Sequence, residues 1–505
     1  MCGYCCKIYT TTGVQQAFGK DKFMIFSPKK LTALLLAGLL AFSAIGCARS
    51  EGDSADTRPS EDSHAVSEED TRYTPDIEKT NYDCEFVITG SGNIRAWSFA
   101  DEDSKGDPFQ DSIYERALKI QDHLGVTLVE VDAGSWTEYS ANVLRTIQAG
   151  DDAYQLISTQ TYEGVPALMS SGAMYDFAEL EGINLDAPYW AFEYMEGLTI
   201  QDQYLLGYND YCLAATFCMI FNKDLADHYS LKAPYEDVVN KTWTLDKLIS
   251  FVSTVSQDNG DNVWDENDTY GITGWGWTDL IAFVQSSDMR IVDRDEDGDY
   301  MIAYSKNNEK TLALLEKLDS IYQAEYSYFW TPYSPRDNKK VEFGSGKALV
   351  QLMQTTELTN LRSETVRFGI LPYPMYDEKQ DGYSILNWNG NIMVPSTVKN
   401  PLMVGETLEL LAYYSEPVKI AYFEDLLGSK LADSPEDAQM LEVIWSSQIS
   451  DAGVITANLG NRTIDYMLYM VPQLCRDGVG SYSSFLKKYE KSSNNLLRRF
   501  FNPTN

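Results

Sequence analysis

The sequence predicts an α/β fold. Strand-like and helix-like segments alternate from residue 84 onward, as parallel sheets with crossover helices require. Turn signals (Gly125, Gly150-Asp151-Asp152, Ser171-Gly172) separate them. Hydrophobic residues make up 44% of the 505-residue chain, the level of a globular protein.

The first elements are not part of that fold. Lys29 and Lys30 precede an apolar run, Leu31 to Phe42, followed by Ser43-Ala44-Ile45-Gly46 and Cys47. A basic start, a short apolar core and small residues before a cleavage point make a secretory signal, expected over residues 1–46. The run is too short to span a bilayer, which takes about 20 apolar residues. Cys47 is the expected lipid acceptor, because the segment resembles the bacterial lipobox, with Ala44 where leucine is commonest. Residues 1–23 read as an upstream extension, since Met24 opens a normal signal. Cys2, Cys5 and Cys6 have no histidine or later Cys-x-x-Cys to complete four metal ligands.

Residues 47–82 read as the lipidated cysteine and an acidic tether, rich in Ser, Asp and Glu and too poor in apolar groups to fold. Net charge is −35, and −39 once the five lysines and one aspartate of residues 1–46 are removed. That field disfavours nucleic acid as a partner. His64, His123 and His228 stand far apart, which argues against a histidine metal or catalytic site. Cys84, Cys212, Cys218 and Cys475 are too sparse for a disulfide framework, and Cys212 and Cys218 sit in an apolar stretch as buried small residues.

The folded part opens with a strand in CEFVITGSGNIRAW. Phe109 to Leu124 follows as a helix, with Ile113, Ala117, Ile120 and Leu124 on one face. Gly125 stops it, and Val126–Val131 alternates as a strand. A helix from Tyr139 to Ala149, a strand in YQLISTQ and a helix ending at Met169 complete the opening set.

Several motifs then recur in a fixed order: Gly150-Asp151-Asp152-Ala153-Tyr154-Gln155-Leu156; Ser171-Gly172-Ala173-Met174-Tyr175-Asp176-Phe177; Met219 to Leu225 (MIFNKDL); Trp243-Thr244 with Leu248; Phe343-Gly344-Ser345-Gly346-Lys347-Ala348; and Gly369 to Pro374 (GILPYP). This order resembles extracellular solute-binding proteins of ABC transporters, family 1, the carbohydrate-type cluster that includes maltose-binding protein. The resemblance covers roughly residues 83–460. It implies a two-lobe, type II periplasmic-binding-protein-like fold with crossing strands near 210–217, 383–393 and 426–433. The lobes would be 83–212 plus 386–430 and 213–385 plus 431–505. It also implies capture of a sugar or oligosaccharide by lobe closure, delivery to ABC permease subunits, a monomeric state and an extracellular, lipid-anchored location. A peptide or other solute is the alternative within binding proteins. A surface glycoside hydrolase is the alternative outside them. No GxSxG, HExxH or P-loop pattern occurs, so an enzyme is not expected.

The segment Gln257 to Asp268 has the rhythm of a calcium loop: Gln257, Asn259, Asp261, Val263 (through its carbonyl), Asp265 and Asp268 at positions one, three, five, seven, nine and twelve. Asn262 stands where such loops carry glycine, and Gln257 where they carry aspartate. A structural calcium is the expectation, with no organic cofactor. The run Asp293 to Asp299 fails the same test and reads as a hairpin turn.

Flat rings cover the apolar face of a sugar while amides and carboxylates hold its hydroxyls. The candidate contacts are Trp97 after the first strand, Gln160, Tyr162 and Glu163 after the third, and Asn209 and Asp210 at the first crossing. Trp275 and Trp277, with Trp388 and Asn389 at the return crossing, complete the set. Trp243 and Trp445 lie on helical faces and are assigned to the core.

Overall fold

Helix Pro108–Leu124 forms where the periodic apolar face is. Asp107 caps it, its carboxylate accepting from the amides of Phe109 (3.0 Å) and Gln110 (3.1 Å). Pro108 fits the first turn, which needs no amide donor. Gly125 ends the helix at φ +65°, a conformation that glycine takes without strain. Ile113, Ile120 and Leu124 are buried, joined by Arg116, whose guanidinium donates to Ser415 Oγ at 2.8 Å.

The computed structural model describes residues 73–90, 99–100, 106–135, 137–162, 164–212, 216–331, 339–361, 364–428 and 435–503. Thr71–Asn505 forms one compact unit. The signal segment, Cys47 and most of the tether lie outside the described residues.

Within that unit are two α/β lobes. The first holds a four-stranded sheet in the order Asn389–Met393, Leu156–Gln160, Cys84–Gly90, Val126–Asp132. The last three are mutually parallel, so their carboxyl ends share one edge. Asn389–Met393 returns antiparallel, with Asn389 opposite Gln160 and a bulge between Asn389 and Asn391. The second lobe orders Phe368–Leu371, Phe217–Asn222, Ala348–Gln354 and Thr269–Trp275, and Ser327–Trp330 also pairs with Thr269–Trp275. Ala348–Gln354, Thr269–Trp275 and Ser327–Trp330 are parallel and bring their carboxyl ends together. Phe217–Asn222 is buried at every residue, as a central strand covered on both faces must be. Gly271 is required there: a Cβ would meet the Val252 carbonyl oxygen at 1.9 Å.

Short segments join the lobes. Ile385–Leu386 pairs in parallel with Gln448–Ile449, and Thr216 bridges to Asn387. Helix Glu416–Gly428 packs on helix Pro108–Leu124, whereas helix Pro435–Ser446 packs on strand Phe368–Leu371. The second helix is pinned by Asp437, which is fully buried and takes Lys223 Nζ at 2.8 Å, Tyr235 Oη at 2.6 Å and the Ile370 amide at 2.8 Å. A buried carboxylate with three donors is satisfied rather than costly.

The hairpin expected at Asp293–Asp299 forms: Val292–Arg294 pairs antiparallel with Tyr300–Ile302, and Gly298 turns the chain at φ +86°. Cys212 and Cys218 are buried and unbonded, and burial pushes the Cys212 thiol up to about 12. Trp243 is in the core, 1% exposed, its Nε1 donating to the Pro372 carbonyl at 3.0 Å. Trp445 is only partly buried: it packs against the core and also borders a groove, where Lys419 Nζ lies 4.9 Å from the ring centre.

Candidate functional site

The parallel strands of each lobe end at the edge where open α/β sheets bind ligands. In the second lobe that edge carries a pocket. Trp275 and Trp330 close their parallel strands side by side, and their rings stack at 5.9 Å with planes 18° apart. Beneath them Thr278, Asp279, Gln351, Leu352, Glu357 and Lys340 line a cavity of about 150 Å³. Gly274 leaves room for it: a Cβ there would sit 3.0 Å from Leu352 Cβ and 3.1 Å from Asp279 Oδ2.

Asp279 opens helix Thr278–Ser286, and its Oδ2 accepts from the Trp275 amide at 2.7 Å. Burial pushes its carboxyl from 3.8 up to about 7, the Trp275 amide opposes that, the nearby Glu357 adds to it, and Lys340 opposes it. Two polar atoms in the same lining, Trp275 Nε1 and Gln351 Oε1, are buried without a hydrogen-bond partner.

A second cluster joins the lobes. Tyr162, just past strand Leu156–Gln160, stacks on Trp388 at 5.6 Å and 18°. Phe217 meets Trp388 edge-on at 6.0 Å. Tyr469 meets Tyr162 edge-on at 6.4 Å and stacks on Trp277 at 4.5 Å. Tyr162 Oη donates to Asp465 at 2.6 Å, and its carbonyl accepts from Asn458 Nδ2 at 2.6 Å. Burial raises the Asp465 carboxyl, against the pull of that hydroxyl. Trp388 is 9% exposed, so its faces are largely covered.

Of the sugar-contact candidates, the structure therefore brings Tyr162, Trp277 and Trp388 into one aromatic cluster and sets Trp275 in the adjoining pocket. Gln160 and Asn389 face each other across the first sheet through their backbones. Asn209 and Asp210 lie apart from these, in a groove with Trp190, Tyr208 and Trp445, where Asp210 pairs with Lys419 at 2.8 Å. Trp97 and Glu163 fall outside the described residues. Sequence reasoning missed Trp330, Gln351 and Asp279. Gln351 had a visible signal, a lone amide inside the apolar run Ala348-Leu349-Val350-Gln351-Leu352-Met353.

The Gln257–Asp268 loop keeps its turn chemistry. Asn262 adopts φ +62°, as the glycine position demands. Its carboxylates face backbone amides. Asp268 accepts from Asn259 (2.8 Å) and Asp265 (2.7 Å), Asp261 from Val263 (2.8 Å), and Asp265 from Asn267 (2.7 Å). Gln257 instead lies in a two-residue strand paired to Thr269. Among the described residues no three His, Cys, Asp or Glu side chains are grouped to hold a metal ion.

No curated protein matches the chain. Solved structures resemble it over most of its length. A sugar transporter from Rhizobium etli, in an open conformation, is 15% identical with a TM-score of 0.56, over 81% of this chain and 98% of that one. The sugar-binding protein MalE from Xanthomonas citri is 12% identical with a TM-score of 0.56, over 83% of this chain and 100% of that one. An ABC substrate-binding protein from Listeria monocytogenes in complex with cycloalternan is 12% identical with a TM-score of 0.51, over 82% and 98%. At these identities the likeness establishes the two-lobe periplasmic-binding fold. The family model for bacterial extracellular solute-binding proteins matches residues 114–429, and the chain belongs to that family.

Proposed function

We propose that the chain captures an extracellular sugar or oligosaccharide between its lobes and delivers it to the permease of an ABC transporter. The observation that carries this is the Trp275–Trp330 stack over a pocket that mixes ring surface with polar side chains. Rings supply apolar area for a pyranose face, and polar side chains read its hydroxyls. The roles of two structural neighbours, a sugar transporter and a sugar-binding protein, agree with that class. Closure would carry the second-lobe pocket toward the first-lobe strand ends, a hinge motion in which ligand contacts stabilise the closed state.

The same reading places the protein on the outer face of the cell membrane, anchored through acyl chains on Cys47 and held off by the acidic tether. Among the described residues no helix is long and apolar enough to cross a membrane. A thermal-shift panel tests the ligand class. At least one sugar should raise the melting temperature, since a ligand that binds only the folded state stabilises it by RT ln(1 + [L]/Kd). A shift with peptides and none with sugars would overturn the reading.

A further inference from the structure

Helix Tyr482–Phe501 is built on two opposed faces. Tyr482, Phe485, Leu486, Leu497, Phe500 and Phe501 are buried, and the helix packs on strand Tyr300–Ile302, where Phe501 stacks on Tyr300. Every exposed side chain of the helix is Ser, Asn, Lys or Arg. Lys487, Lys488, Lys491, Arg498 and Arg499 fall within about 120° of arc at about 3.6 residues per turn, opposite the buried face. Glu490, the one acidic residue of the helix, is half-buried and accepts from Ser305 Oγ. Among the described residues, Arg498 alone of the five cations has a carboxylate within 4.0 Å, that of Asp299.

One edge of this face is aromatic. Tyr489 stacks on Tyr466 at 4.3 Å with planes 12° apart, and Tyr466 is 45% exposed. Lys488 Nζ lies 4.6 Å from the Tyr489 ring centre. Basic side chains beside exposed tyrosine are what seats a helix at a membrane surface, with rings at headgroup depth and cations on phosphate. The chain as a whole carries −39 after residue 46, which an anionic surface repels. Screening decides between the two effects. The Debye length is about 8 Å at physiological ionic strength. The outer side chains of a surface helix come within that distance of a bilayer, whereas groups behind a helix about 10 Å thick do not. An approach on this face therefore meets attraction first.

We propose that the outer face of helix Tyr482–Phe501 docks on anionic phospholipid headgroups and orients the anchored chain on its membrane. The proposal rests on the lipid-anchor reading above. The 26 residues from Cys47 to Arg72 can reach at most about 90 Å, which keeps the local concentration of headgroups high. A weak, reversible contact is then enough to orient the chain, and it does not replace the anchor.

Vesicle flotation tests it on the mature chain from residue 47 carrying Cys47→Ser, so that no acyl chain holds it. Vesicles of equal parts phosphatidylglycerol and phosphatidylcholine should bind it at low salt. Phosphatidylcholine alone should not, and about 0.5 M salt should release it. Lys487→Gln with Lys488→Gln and Lys491→Gln should weaken the partition about 100-fold, at about 5-fold per charge. Lys119→Gln with Lys379→Gln and Lys399→Gln changes net charge equally at other exposed sites and should leave binding as it is. Equal affinity of the two triple variants, or no binding to the anionic vesicles, overturns the docking face. Either result leaves the anchor standing, because fractionation of the acylated chain decides that separately. Binding of polyglutamate with none to vesicles overturns the proposal in favour of an acidic protein partner.

Discussion

Replacing Asp279 by asparagine should stabilise the protein above neutral pH and change little in acid. The carboxyl is buried, 6% exposed, and pushed from 3.8 up to about 7. The folded state therefore keeps a proton that the unfolded chain releases near 3.8. Between those values the folded state binds more protons, so stability falls as pH rises. The contribution of the neutral carboxyl is fully present below about pH 4 and lost as pH passes about 7. About three units at 1.36 kcal/mol each come to about 4 kcal/mol. An asparagine has no charge to bury, and its oxygen can still accept from the Trp275 amide. Urea unfolding of wild type and Asp279→Asn from about pH 4 to 8 should give nearly equal stabilities at the acid end. The gap should then widen in the variant's favour toward about 4 kcal/mol. Parallel pH profiles, or a variant less stable at about pH 8, would refute the argument that Asp279 is held protonated by burial.

Trp388→Ala should cost about 3–5 kcal/mol of stability by denaturant titration, because its ring is covered by Tyr162 and Phe217. Trp445→Ala should cost less than Trp388→Ala, because its ring is only partly buried against the core; the reverse order would refute that ranking. Calcium should raise the melting temperature over that in chelator, if the oxygens of the 257–268 loop take an ion; identical melting would make the loop an empty turn. Asp261→Ala with Asp268→Ala should remove that rise. Cys47→Ser should leave the chain without acyl chains and release it into the medium, by membrane fractionation; retention at the wild-type level would remove the lipid anchor.

Much of the first lobe was legible because its signals are local. Periodicity and the Gly125 stop place helix Pro108–Leu124 within one residue of its expected start. The Asp-Gly turn fixed the hairpin Val292–Ile302 in the same way. The site was legible only in part, because its pairings span long sequence distances. Trp275 meets Trp330 through strand pairing, and Tyr162 meets Asp465 across 303 residues. Nothing local to Asp279 says that burial will hold its proton; as the second residue of a helix it reads as an ordinary acidic first turn. Trp445 was legible by half: its helical spacing points to the core it packs on, but nothing local shows the groove it also borders.

The central claim is capture of a sugar by closure of the two lobes. Small-angle scattering of the purified chain, with and without the trisaccharide that calorimetry shows to be saturating, measures it directly. The account predicts a smaller radius of gyration in the sugar-bound protein, with no change on adding triglycine. Identical scattering curves with and without saturating sugar would contradict it.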